Sequence, residues 1–244
     1  MLNNKLSSMF FDLNIQGGSL ENNVILAKQA AQYGWSHINF SYNQNDFSDA
    51  LKFKNELKDM FDDEISIDYT LEIKSTNINE IRKITNKFRN KTSCIAVVGG
   101  DLKVNRATLE NIKIDVLSRP YLRRFDSGLN HVLSREAVDN NVAIELCFKD
   151  VLKSYLSHRS KVISNFKDIY TLYRKFDFPL ILSSRAESVF DIKTTHDFAA
   201  FFKQTGLTDS EIVDSFTAAS NILDFNKNRH NLILKGVRRI EDGS

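Results

Sequence analysis

Apolar residues along this chain gather in short dense runs, separated by stretches in which they recur every three or four positions. Dense runs of that length read as strands buried on both faces, and the three-to-four spacing reads as helix. The first run covers residues 9–15. Ser19 then caps a helix that sets Leu20, Val24, Ala27 and Ala31 on one face, with Gly34 as its stop. A second strand is predicted at 37–42. Asp46 opens the next helix, whose inward set is Phe47, Ala50, Leu51, Leu57 and Phe61. Strand 65–73 follows, then a helix carrying Ile78, Ile81 and Phe88.

The alternation continues through strand 95–98, a short helix around 107–110, strand 115–118 and a helix capped by Asn130 that presents Leu133 and Ala137. Strand 143–148 leads to a helix carrying Val162, Phe166, Ile169, Tyr170 and Tyr173. Strand 180–183 is followed by helices around 197–203 and 209–219, the second opened by a Thr208–Glu211 capping box. Residues 232–234 are a weaker candidate for an eighth strand.

Seven or eight strands alternating with helices over 244 residues, with no Pro-, Gly- or Ser-rich linker, predict parallel βα units. The expected fold is α/β: a single TIM-like (β/α) barrel over 1–235, with a short basic C-terminal tail at 236–244. A doubly wound open sheet is the alternative, but the first turn, Gln16 to Ser19, lacks the G-x-G-x-x-G of a dinucleotide site.

Composition narrows the class. Nine Gly and two Pro exclude collagen-like and low-complexity chains, and 42% hydrophobic residues suffice for a sizeable core. Cys94 and Cys147 each sit inside an apolar run and read as buried free thiols. Neither a signal peptide nor a membrane-length apolar run is present, so a cytoplasmic location is expected. A formal net charge of +2 speaks against a free-standing polybasic nucleic-acid binder.

In barrel enzymes the working residues lie at the C-terminal strand ends. Those ends offer Asp12, Asn14, Asn39, Ser41, Glu72, Asp101, Arg119, Glu145, Lys149 and Ser183 to Arg185. Metal-assisted hydrolysis needs several His and carboxylate ligands on one ion. The chain has five His and no His-x-His pair, and the first strand reads Asp12, Leu13, Asn14 where a metal-dependent barrel phosphoesterase would open with histidines. No metal site is therefore predicted, and Asp12, Asn14 and Ser183 read as polar strand-end residues, candidates for a vestigial site. Ser183 and Ser184 lack a nucleophile elbow. Glu72 and Glu145 read as a buried polar layer or a strand-end salt bridge rather than an acid–base pair. No catalytic residue is assigned.

The basic residues are unevenly spread. Arg119, Arg123 and Arg124 fall in the acid-free stretch 119–125 with Tyr121 and Phe125, and Lys227, Arg229, Lys235, Arg238 and Arg239 fall in the acid-free stretch 227–239. The remainder of the chain is net acidic. Arginines interleaved with aromatic rings suit phosphate contact and base stacking; an ordinary solvated face is the plainer reading of either stretch alone.

With these residues in view, the chain resembles RNase P protein component 3, the thirty-kilodalton-class subunit family of archaeal and eukaryotic RNase P. The resemblance rests on 11–14 in the first strand, 125–135 entering the fifth helix, 141–146 on the sixth strand, 181–188 after the seventh, and Asn221, Asn226 and Arg229 near the end. It implies a barrel related to the metal-dependent (PHP-type) phosphoesterases but without their complete metal set. It also implies membership of the ribonucleoprotein that cuts the 5′ leader from precursor tRNA, in which the RNA is the catalyst and Mg2+ serves that RNA. The implied partners are RNase P RNA, precursor tRNA, protein component 2 as the direct neighbour, and the other protein subunits. Arg119, Arg123, Arg124, Arg185 and the C-terminal basic residues become the candidate RNA contacts. Arg185 is a departure, since a small residue is expected in that loop. A standalone phosphoesterase and a pure scaffold that never touches RNA are the competing readings.

Overall fold

A computed structural model describes residues 10–61, 64–229, 232–234 and 237–238. Seven strands form one parallel sheet in chain order: β1 (Phe11–Gln16), β2 (His37–Asn43), β3 (Ser66–Ile73), β4 (Cys94–Val98), β5 (Val116–Ser118), β6 (Ala143–Cys147) and β7 (Leu180–Ser183). Chain order in a parallel sheet is what successive right-handed βα crossovers produce. The sheet curls until its edges meet: the Gln16 N–H donates to Ala186 O at 2.8 Å, and the Ser184 N–H donates to the Asp12 carboxylate at 3.1 Å.

The period-2 alternation of strands explains why the runs are apolar throughout. Ile95, Val97, Leu117, Ile144, Leu146, Leu180 and Leu182 belong to the large cluster shared with the helices. Their sequence neighbours Cys94, Ala96, Val116, Ala143 and Ile181 belong to a second cluster with Leu13. Large residues thus face outward to the helices and small ones face the barrel axis, where seven strands leave little room.

The helices are α1 (Leu20–Gln32), α2 (Phe47–Ala50), α3 (Lys54–Asp59), α4 (Ile78–Phe88), α5 (Leu102–Leu109), α6 (His131–Asn140), α7 (Phe148–Leu152), α8 (Leu156–Phe176), α9 (Thr195–Thr205) and α10 (Asp209–Lys227). Ser19, Asn130 and Thr208 make the predicted side-chain caps, and Thr208 with Glu211 completes a capping box. Asp46 precedes α2 but makes no capping bond; its carboxylate instead accepts from Asn43, and the helix breaks into two short pieces. Asp101, read as a strand-end group, is the cap of α5 and accepts from the N–H groups of Lys103 and Val104. α10 runs two turns past its predicted end. Ala219, Ile222 and Leu223 on it enter the inner cluster at the strand beginnings, closing the barrel's N-terminal end.

The candidate eighth strand is a correction. Leu232–Leu234 (β8) is a strand, but it pairs antiparallel with Val237–Arg238 (β9) in a separate two-stranded sheet. An antiparallel pair needs no crossover, whereas joining the parallel sheet does. Among the described residues the barrel has seven strands, and β7 abuts β1 directly.

Gly128 fixes the loop between β5 and α6. It sits at φ 70°, its carbonyl accepts from Asn105 Nδ2 at 2.9 Å, and an added Cβ would lie 2.0 Å from Pro120 O. Gly34, at φ 88°, has Thr195 Oγ1 at 3.1 Å as the nearest atom to such a Cβ. Gly128→Ala is therefore expected to cost at least about 2 kcal/mol and Gly34→Ala about 1 kcal/mol. Urea denaturation of the two variants checks this; equal losses would mean that the Pro120 contact adds nothing to the backbone strain.

Candidate functional site

The C-terminal end of the barrel is polar. On β2 and β3 the alternation that sends Ile38, Phe40 and Leu71 to the helices leaves Asn39, Ser41, Thr70 and Glu72 buried on the opposite side, and β5, β6 and β7 add Ser118, Glu145 and Ser183. Burying this many polar groups is costly unless they bond to one another. Most do, although Ser118 Oγ and Glu145 Oε2 have no hydrogen-bond partner among the described residues. Asn39 Nδ2 donates to Thr70 Oγ1 at 2.9 Å, and Thr70 Oγ1 donates to Leu13 O at 2.9 Å. Asn14 Nδ2 donates to Glu145 Oε1 at 3.0 Å while Asn14 Oδ1 accepts from Gln16 Nε2 at 2.7 Å. Ser183 Oγ lies 3.3 Å from Cys147 Sγ.

Each buried carboxylate has its own partner. Arg185 reaches across from the loop after β7 and forks onto Glu72, Nη1 to Oε1 at 2.8 Å and Nη2 to Oε2 at 3.4 Å; Lys74 Nζ adds a contact of 2.8 Å. This is the strand-end salt bridge expected of Glu72, and it gives Arg185 the role that its loop position left open. Asp12 accepts from the backbone N–H groups of Asn14 and Ser184. Burial nevertheless pushes its carboxyl up to about 6, with Glu145 adding to the rise against those bonds. Arg119, at the end of β5, pairs with Asp150 of α7 at 3.4 Å, and Tyr121 Oη donates to the same carboxylate at 2.8 Å. Burial also drives both Cys94 and Cys147 well above the ordinary thiol range, so neither is an activated nucleophile.

Metal chemistry needs carboxylates free to converge. Here Glu72 faces a guanidinium, Glu145 an amide and Asp12 two backbone N–H groups. Among the described residues no three His, Cys, Asp or Glu side chains gather where an ion could be held. Asn14 supplies an amide donor to Glu145 instead of an imidazole. The residues present do not fit a metal-dependent phosphoesterase.

The candidate RNA-contacting residues separate into two places. Arg119 and Arg185 are buried in the C-terminal mouth, and Arg123 and Arg124 stand on its rim. Arg124 is bound by the next residue but one: it forks onto Asp126 at 2.6 and 2.9 Å and donates to Gly100 O. Lys227 and Arg229 are at the opposite end, where α10 meets the strand beginnings. Asn226 Nδ2 donates to Ser93 O there, and Arg229 lies 3.6 Å from Asp115 and donates to Ile112 O. Lys235 and Arg239 lie outside the described residues, as does the side chain of Arg238. Three of the mouth arginines, Arg119, Arg123 and Arg185, hold left-handed backbone conformations with φ of 52°, 57° and 52°. That conformation costs a non-glycine residue about 1–2 kcal/mol. It recurs at two ion-paired arginines inside the mouth and one on its rim.

Geometry thus defines a class: a TIM-like barrel whose strand-end carboxylates are held by the chain's own guanidinium, amide and backbone groups. The comparisons with known proteins make the class specific. The family model described as RNase P subunit p30 matches residues 9–231, and the chain belongs to that family. Ribonuclease P protein component 3 of Methanothermobacter thermautotrophicus is 38% identical over 99% of this chain and 100% of its own length. That of Methanococcus maripaludis strain S2 is 33% identical over 88% and 93%. A chain in the cryo-EM structure of archaeal ribonuclease P with mature tRNA superposes with a TM-score of 0.78 at 29% identity, covering 96% of this chain and 99% of that one. A histidinol phosphate phosphatase from Lactococcus lactis, at 12% identity and a TM-score of 0.57 over 82% and 95%, shares the barrel shape.

Proposed function

We propose that the chain works as a protein subunit of ribonuclease P and supports cleavage of the precursor-tRNA 5′ leader by the RNA rather than performing it. The carrying observation is the end-to-end likeness to archaeal component 3 proteins. The engaged carboxylates of the mouth support the second half, since a hydrolytic barrel would need them free. On this reading the partners are RNase P RNA, precursor tRNA, component 2 as direct neighbour and the remaining protein subunits. Mg2+ serves the RNA, and the particle is cytoplasmic. No described helix is long and apolar enough to cross a membrane.

Placement of the cations refines the RNA contacts. Arg119 and Arg185 shape the mouth through their ion pairs, and Arg123 on the rim is free to meet a phosphate. Lys227 and Arg229 form a separate surface at the other end of the barrel, away from Arg123.

Reconstitution of the particle with and without this chain tests the reading. Omitting it is expected to slow 5′ cleavage or raise the Mg2+ required, and the isolated chain is expected to cleave nothing. Cleavage indifferent to the chain, or RNA-free phosphodiester turnover by the chain with added metal, would overturn it.

A further inference from the structure

A cleft of about 190 Å3 opens between the β5–α6 loop and the start of α8, lined by Arg123, Arg124, Lys153, His158, Lys161 and Asn165 among others. Asp150 is the one acid on its wall, and it is engaged with Arg119 and Tyr121. Arg124 is paired with Asp126, whereas Arg123, His158 and Lys161 form no side-chain hydrogen bond or ion pair among the described residues. Lys153 lies 4.0 Å from Asp191 and Lys161 acts on Asp126, yet the wall itself carries four Lys and Arg residues against one acid.

Two further observations point to an anion. The 21-residue α8 begins here with no side-chain cap from Tyr155 and no acid in its first turn; His158 and Arg159 stand there instead. Helix N-termini favour negative charge, so two basic groups at one are locally unfavourable until an anion arrives. Asn165 is buried at the wall with an Oδ1 that has no partner. A half-turn of that amide would present its N–H groups to an anionic oxygen. Arg159 keeps the entry turn in shape, donating to Val151 O at 3.2 Å and Ser154 O at 2.8 Å. Close by in sequence, Phe125 is 93% exposed, a ring available to bases rather than to a core, and Tyr155, 73% exposed, carries the Arg159 guanidinium 5.7 Å from its ring centroid.

We propose that this cleft is a phosphate site for RNA, in which Arg123, Lys153, His158 and Lys161 hold one backbone phosphodiester and Asn165 donates to it from the wall. The inference rests on the ribonuclease P reading and adds a place and residues to it. Lysines and arginines that neutralise a phosphate set the salt dependence of binding, each phosphate lost reducing the slope by about 1.

The test uses the full chain and a labelled transcript of the cognate RNase P RNA, with binding followed by anisotropy from about 50 to about 200 mM salt. Arg123→Ala with Lys161→Ala is expected to weaken binding about tenfold and to lower the salt slope by about 1. Lys161→Glu should weaken it further, Lys161→Arg should restore it, and the exposed Lys28→Ala on α1 should change nothing. All three positions are on the surface, and unchanged melting temperatures confirm folding. Wild-type affinity and slope in the double variant would overturn the cleft alone. So would RNA curves that coincide while inorganic phosphate raises only the wild-type melting temperature, or while a protein subunit drops out of the reconstituted particle. Those outcomes assign the cleft to free phosphate or to a protein. A wild-type chain that binds no RNA and adds nothing to the particle would overturn the ribonuclease P reading with it.

Discussion

Arg185→Ala is expected to destabilise the barrel by about 3 kcal/mol, because it strands a carboxylate that has almost no access to water. Glu72 is 1% exposed and Arg185 7%, and their fork closes the mouth between β3 and β7. Removing one member of a buried pair leaves a charge in low dielectric, which costs about 3–5 kcal/mol. Half-exposed Lys74 keeps one contact to Glu72, so the lower end applies. Removing both charges with Arg185→Met and Glu72→Gln should cost clearly less than the two single changes together, since no orphan remains. Backbone and side chain can also be told apart. Arg185 sits at φ 52°, so Arg185→Gly loses the same ion pair but relieves the left-handed strain, and should be about 1 kcal/mol less damaging than Arg185→Ala. Urea denaturation of the set decides the matter. Additive single changes would mean that the pair is not coupled, and equal Gly and Ala variants would mean that the backbone carries no strain there.

That pair also marks the limit of what could be read along the chain. Strand identity was legible because both faces of each strand are buried, so apolar runs such as 95–98 and 180–183 needed no tertiary knowledge. Caps at Ser19, Asn130 and Thr208 were legible because their hydrogen bonds reach only two or three residues. Asn141 behaved as a helix stop for the same local reason, adopting φ 53° after α6. Glu72 and Arg185 stand 113 residues apart, and nothing local says that one answers the other. Basic clustering in sequence left placement open in another way. Stretches 119–125 and 227–239 look equivalent as charge runs, yet the first follows a strand's end, while Lys227 and Arg229 of the second sit where α10 packs under the strand beginnings, at the opposite end of the barrel. Residues 151–167 hold no acid and four Lys or Arg, and they line the cleft beside Arg123. Their signal was cations in the first turn of a helix, a placement the helix dipole disfavours, rather than the count of charges.

Between pH 4 and pH 6.5 the stability of the wild-type protein is expected to be nearly flat, as the sum of two opposed dependences that single substitutions will expose. His37 is buried at the start of β2, stacked on Phe11 with ring centroids 5.3 Å apart and with Nε2 2.8 Å from Asn39 Oδ1. Burial pulls it down from 6.5 to about 4. The unfolded chain therefore binds a proton that the folded chain refuses, and stability is lost as pH falls from 6.5 towards 4. Asp12 runs the other way. Burial raises it from 3.8 to about 6, so the folded chain keeps a proton that the unfolded chain releases; its contribution is full below 3.8 and is lost as pH rises through 6. In full each amounts to about 3 kcal/mol. Asp12→Asn removes the second dependence alone, and that variant should lose about 3 kcal/mol on acidification from pH 7 to pH 4. His37→Gln removes the first and should gain by a similar amount over the same range. Glu211, held down to about 2 chiefly by Arg174, enters only below its unperturbed value of 4.5 and leaves the upper window clear. The amide in Asp12→Asn satisfies one of the two backbone N–H groups and not the other, a cost of about 1 kcal/mol that is independent of pH and shifts the curve without tilting it. Urea midpoints across the range separate the tilt from the shift. Parallel profiles for wild type and Asp12→Asn would show that the carboxyl is ionised in the folded barrel throughout, and that the bonds from Ser184 and Asn14 outweigh its burial.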